Sequence, residues 1–436
     1  MSDSNSETGN SSTSDDESGA SQTSETGPKS KTDLVVEALD DMDRKYRFES
    51  KREADVDKNL TINDMGEKLK RLDELETSLL PSMEELIDQL LVALDIKGSS
   101  DYPGPQPDLD LTLEILSKLD KNLKRTVSSG VFLALESPLP DAEHDHHLDK
   151  AKIFRCTLLL HEIECLVVNQ IYDLLVCCMS VVQWCESLSD CSEEALFQSE
   201  VLLSRREALM SATQCQHEID RLIKFSQKSD LAILQMTWLP PAKLLNRVLV
   251  NFTHLTNPRF DSNPEPKRNF WIVEDRNQER AAPREEIAQV AKSTIPIIKL
   301  ARILLGKLSR LSRKEVPFTL HSAIDSKSVN KLKSAQHAIA VQLDRIGLTL
   351  LKDHRTNEAL EPIFNQVHTV VKQISWIVEF HLVDIAFHLV PLPHLLLNGV
   401  NSPTRHFRAQ FCPWKQLWDV AVSRLLDFLC SIETEH

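Results

Sequence analysis

From residue 34 onward the apolar residues of this 436-residue chain recur in steps of three and four, the period of an α-helix with one buried face. The row is clearest at Met65, Leu69, Leu72, Leu75, Leu79, Met83, Leu86 and Leu90. Pro81 interrupts it, because proline lacks an amide donor and clashes with the preceding turn, while Ser82 and Glu85 have the Ser-x-x-Glu spacing that starts a helix. The pattern therefore predicts two segments or one kinked one. Helices follow over about 109–127, 149–188 and 193–229, the last two joined near Asp190 as an α-hairpin. A shorter one runs from Pro240 and Pro241 to about residue 255. The second half repeats the plan. A helix opened by Pro283, with Glu285 and Glu286 in its first turn, should bend at Pro296; others cover 324–353, 357–390 and Trp414 to Cys430.

Two details of the pattern make stronger statements. Counting 100° per residue, Cys156, Leu159, Ile163, Leu166, Leu174, Cys177, Cys178, Val181 and Cys185 share one side, which makes most of these cysteines core residues. Between Trp376 and Leu389 the apolar residues cease to be one-sided: Trp376, Phe380, Val383 and Phe387 lie opposite Ile374, Val378, Leu382 and Ile385. A helix apolar all round is buried all round, so this one is expected at the centre of the carboxy-terminal bundle.

Composition agrees with helices and narrows the function classes. Only 10 glycines occur, too few for the turns of barrels and sandwiches or for phosphate-cradling loops, and neither G-x-x-x-x-G-K nor G-x-G-x-x-G is found. The expected fold class is all-α, two antiparallel multi-helix bundles with long helices. Residues 1–33 are rich in Ser, Thr and acids and read as a disordered tail, in which Ser4, Ser12, Thr13 and Ser14 each precede an acid by three positions, as acidic-directed kinases require. Residues 34–255 form the first bundle and 284–436 the second. The Pro-rich linker 256–283 lies between them, its Phe270, Trp271, Ile272 and Val273 expected to dock on a bundle. A net charge of -15 opposes nucleic acid as a partner. Nine cysteines without a C-x-x-C pair suit a reducing compartment, cytoplasmic or nuclear. No secretory leader and no membrane-crossing run is expected, since the most apolar stretches are interrupted by Glu164, Asn169 and Asp173 and by Glu379, Asp384 and prolines.

Few constellations carry chemistry. His381, Asp384 and His388 at i, i+3 and i+7 could offer a metal three ligands from one helix, but a core hydrogen-bond network explains them more simply. His144, Asp145, His146 and His147 read as a solvated loop able to catch zinc. His161-Glu162-Ile163-Glu164-Cys165 is half of H-E-x-x-H, with Cys where the second His is needed. No cofactor is implied. Residues 284–314 carry eight Lys and Arg against two acids, and Lys292, Lys299, Arg302, Arg310 and Arg313 fall opposite the apolar row. That strip is a candidate for an acidic protein partner, for the chain's own tail or for a phospholipid surface.

The stretch Ile295-Pro296-Ile297-Ile298-Lys299-Leu300-Ala301-Arg302 with Leu308-Ser309-Arg310, after a Pro-rich linker and before two long helices, resembles a group of uncharacterised all-helical proteins of rust fungi. More remotely, the chain is similar to the cyclin-D1-binding-protein-like bundles, themselves similar to vinculin and talin modules. Neither resemblance implies an active site. The expected function is a non-enzymatic intracellular interaction or scaffold protein that binds another protein of unknown identity, in an oligomeric state the sequence does not reveal. The alternatives are a helical metalloprotein using His381, Asp384 and His388, and a bundle that binds membranes through the basic face of 284–314.

Overall fold

The computed structural model describes residues 29–46, 62–97, 107–135, 141–190, 194–256, 285–309, 318–356, 360–391 and 403–435. Nearly all of them are helical. Ser4, Ser12, Thr13 and Ser14 of the amino-terminal tail and Phe270–Val273 lie outside the described residues, but the tail as read ends too late. Ser30 Oγ accepts from the Asp33 amide at 3.0 Å and Asp33 Oδ2 from the Ser30 amide at 3.1 Å. This reciprocal cap starts α1 (Lys31–Tyr46) inside the polar segment, before the first apolar residue.

α2 (Ile62–Glu74), a wide π turn (Leu75–Leu79) and α3 (Leu80–Ala93) form one continuous helix. Pro81 therefore neither breaks nor restarts it. It sits in the first turn of α3, where the wide turn has already stepped the hydrogen-bond ladder. The Ser82–Glu85 spacing is not used as a cap; Glu85 accepts from Gln89 at 3.1 Å instead. Leu69, expected on the buried row, is exposed, and Lys68 is buried in its stead. The Lys68 ammonium donates to the Leu135 carbonyl at 2.5 Å, and burial lowers its pKa.

α4 (Leu109–Ala134) is capped by Asp108, which accepts from the Leu111 amide at 3.0 Å. After a 3-10 turn (Asp145–Ala151) come α5 (Ile153–Cys165), a second π turn (Leu166–Ile171) and α6 (Tyr172–Asp190), followed by the antiparallel α7 (Glu194–Ser226). The π turn adds one residue to the helical count and widens the buried row that follows it. The expected Leu174, Cys178 and Val181 are buried and are joined by Ile171, Leu175 and Val182, while Cys177 and Cys185 lie on the half-buried flank. The eight described cysteines are free thiols. Burial pushes Cys156 up to about 11 and Cys215 up to about 12. By length and composition the run Asp145–Ser187 could cross a membrane, against the sequence expectation, yet 44% of its most apolar window is buried inside this fold, against α1, α4 and α7.

α8 (Asp230–Thr237) and α9 (Leu239–Thr256), grouped above with the first bundle, pack instead with α10 (Glu285–Leu308) and α11 (Ser326–Thr356). Pro296 lies inside an unbroken α10. α12 (Leu360–His388) packs on α11 and on α13 (Pro403–Glu435), which begins before Trp414 because Pro413 is accommodated within it. Trp414 anchors α13 by donating to the Leu300 carbonyl at 2.8 Å, and its ring stacks on the fully buried Trp418. One small antiparallel sheet departs from the all-helical plan: β1 (Phe318–Leu320) pairs with β2 (Leu389–Pro391), Thr319 opposite Val390, and holds the carboxy-terminal end of α12. Buried apolar residues from α1 to α13 form one connected cluster, so the two bundles share a core.

Candidate interaction face

α12 starts as an ordinary amphipathic helix. Ile363, Phe364, Val367, Val370, Val371, Ile374, Val378 and Ile385 form its buried row, and the exposed positions of its first half are Glu361, Pro362, Asn365, Thr369, Lys372 and Gln373. From Trp376 the outer row changes character while the inner row does not. Trp376 is 64% exposed, Phe380 52%, Val383 62% and Phe387 78%. The expectation of a helix buried all round is therefore wrong: α11 and α13 cover its inner side only, and these four side chains face solvent. The aromatic rings lie against one another or a neighbour, Trp376 to Phe380 at 4.3 Å between centroids and Phe387 edge-on to His388 at 4.9 Å.

The spacing of the four is 4-3-4, the d-a-d-a order of a coiled-coil seam. Glu379 is the charged residue among the exposed positions from 376 to 387, which otherwise add only Ala386. The four side chains place roughly 400 to 500 Å² of apolar surface in water. That matches the largest patch of a typical monomer, a size at which patches are commonly functional.

Beneath this face lies His381, fully buried, its Nε2 2.5 Å from Gln336 Nε2 on α11 and its Nδ1 without a partner. Burial drives its pKa down to about 3, so the ring is neutral. Asp384 and His388 are half-buried, and His388 faces Asp325, His321 and Lys331 as well as Asp384. The helix thus aims the three metal candidates at different surroundings, and among the described residues no group of three or more His, Cys, Asp or Glu is gathered for a metal ion. Of the basic strip, Lys292, Lys299 and Arg302 are exposed on α10; Arg310 and Arg313 lie outside the described residues.

A second polar constellation, which the sequence reading missed, locks the two bundles together. Asp145, read from the sequence as part of a solvated loop, is buried, and its carboxylate accepts from the Ile153 amide at 2.9 Å, from the Ser326 amide at 2.8 Å and from the Ser326 hydroxyl. Ser326 in turn accepts from the Phe154 amide at 2.9 Å. Beside them Asp230 accepts from Lys152 at 2.8 Å and from Arg155 at 2.9 Å, both cations being buried; Arg155 also donates to the Ser226 carbonyl and Lys152 to that of Ile324. Apart from the Ser326 hydroxyl, each partner is a backbone group or a matched charge, which makes this a structural lock rather than a reactive centre. Its residues are scattered over 182 positions, from Asp145 to Ser326, and no local spacing could have signalled it.

Residues 68–227 match the family model of a domain of unknown function, DUF8723, and residues 229–427 that of another, DUF8721. No curated protein and no solved structure matches the chain. The two matches meet between α7 and α8, so α8 and α9 fall with the second domain, as their packing does, and Asp230 lies just beyond the join while the cations it holds lie before it. The chain is thus similar, over most of its length, to two uncharacterised domain families joined at the polar lock.

Proposed function

We propose that this chain is a non-enzymatic interaction protein whose docking face is the outer side of α12. The single observation that supports this most is the change within one helix from a polar to an apolar outer row at Trp376, with the inner row unaltered. Water-facing aromatics in heptad order suit a partner helix laid along them. The resemblances noted above imply an all-helical fold and no function of their own, and an intracellular setting fits the free thiols. The basic residues Lys292, Lys299 and Arg302 are a lesser candidate surface, because they are separate charges on the outer side of a largely buried helix.

The test is affinity isolation of the intact chain in three forms: wild type, Phe387→Glu, and the triple change Lys292→Glu, Lys299→Glu, Arg302→Glu. The reading predicts that proteins retained stoichiometrically by the wild type are lost with Phe387→Glu and kept by the triple variant. Loss with the triple variant alone would move the docking face to α10.

A further inference from the structure

We propose that the helix seated on this face is α12 of a second copy, running antiparallel about a two-fold axis that passes between Phe380 and Val383. The inference rests on the reading of the outer row as a docking face and names its occupant. The first argument is register. The 4-3-4 spacing reads the same in both directions, so an antiparallel copy sets Trp376 against Phe387 and Phe380 against Val383, and then repeats both contacts by symmetry. Large meets large at the ends, and the smaller Val383 fits beside a ring at the centre.

The second argument is charge. A parallel pair would bring Glu379 of one copy against Asp384 of the other, the g to e' position of a parallel coiled coil, where like charges repel. The antiparallel pair places Glu379 beside Ala386 of the second copy instead. Over the whole surface a chain of net charge -15 repels its own copy, and from residue 376 to 387 the outer row offers a contact with one carboxylate, Glu379. The third argument is area. Two such faces remove roughly 800 to 1,000 Å² of apolar surface from water, and with their polar rims reach the low end of the roughly 1,200 to 2,000 Å² buried by stable interfaces. The pair should therefore be a modest, reversible dimer.

Sedimentation equilibrium over a hundredfold range of concentration, under reducing conditions, tests this with three forms of the full chain. Wild type should pass from the mass of one chain, 49.5 kDa, to that of two. Trp376→Glu and Phe387→Lys, both at exposed positions and both checked for native helicity by circular dichroism, should each weaken the dimer at least a hundredfold. Mixing these two variants should restore it, because the antiparallel register juxtaposes the new Glu and Lys once and leaves a native Trp376 to Phe387 contact on the other side. Failure of the mixture to recover would overturn the antiparallel register. A wild type that stays monomeric throughout would overturn the second copy as occupant; if Phe387→Glu still abolished capture of another protein, the docking face itself would survive, and if not, both readings would fall together.

Discussion

Phe387 and Phe364 are the same residue type on the same helix, 78% and 1% exposed. Their contrast decides what the outer row is for. Phe387→Ala should change the unfolding free energy by no more than about 0.5 kcal/mol, as surface substitutions do. Phe364→Ala leaves a cavity among packed neighbours and should cost about 3 to 5 kcal/mol. Chemical denaturation of both, at a concentration where the chain is monomeric, checks the pair. The sequence could not separate these two phenylalanines, because hydrophobicity indicates a wish for burial without saying by what, and a residue awaiting a partner looks like a core residue. His381 was legible as part of a core network but not as a pH-sensitive one. Its folded pKa is near 3 against an ordinary 6.5, so between those values the unfolded chain takes up a proton that the folded chain refuses. Stability is then complete above about pH 6.5 and falls as the pH drops through 6.5 toward 3, by up to about 1.4 kcal/mol per pH unit. Half-buried His388 is displaced in the same direction. His381→Gln should flatten this slope by one proton's worth in urea titrations at successive pH values; an unchanged slope would show that the ring is not held neutral.

At the scale of elements, helix identity was written in the period of the chain and helix register was not. The two π turns, at Leu75–Leu79 and Leu166–Ile171, each add a residue that no periodicity count foresees. Beyond the second of them Cys177, expected in the core, lies on the flank, 3.7 Å from Ser211 Oγ, while Cys178 is buried as expected and Leu175 and Val182 join it. Prolines misled for a related reason: Pro81, Pro296 and Pro413 are each absorbed within a helix whose neighbours hold it in place. The scarcity of glycine, used to argue for helices, has a further meaning where helices cross. A Cβ at Gly347 of α11 would lie 2.8 Å from the ring of the buried Phe252 of α9, whereas one at Gly66 of α2 would meet nothing within 4 Å. Gly66→Ala should therefore raise stability by about 0.5 to 1 kcal/mol through helix propensity alone. Gly347→Ala gains the same propensity but forces the ring aside, and should lower stability by about 1 to 2 kcal/mol net. Thermal unfolding of the two variants side by side would expose an error in the α9–α11 packing if Gly347→Ala proved stabilising.

For the whole molecule, the sequence supplied the order of the long helices but not the short α8, while how they associate was set by contacts far apart along the chain. The lock around Asp145, Asp230 and Ser326 makes one body of two bundles, and it stands where the two domain families meet. Asp230→Ala leaves Lys152 and Arg155 buried without their counter-charge and should cost about 3 to 5 kcal/mol, more than removing any exposed ion pair on the surface. If the bundles instead unfolded in two separate steps in the wild type, the shared core would be in doubt. The outer row of α12 is then a large apolar feature, three of its four side chains aromatic, to which the described fold assigns no neighbour. The account claims that it serves contact with a second copy of the chain and not folding, and the mass of Phe387→Glu against that of the wild type, by sedimentation equilibrium at equal concentration, tests the claim most directly. It predicts a folded variant at the mass of one chain beside a wild type approaching two; equal masses for the two proteins, or a variant that no longer folds, would contradict it.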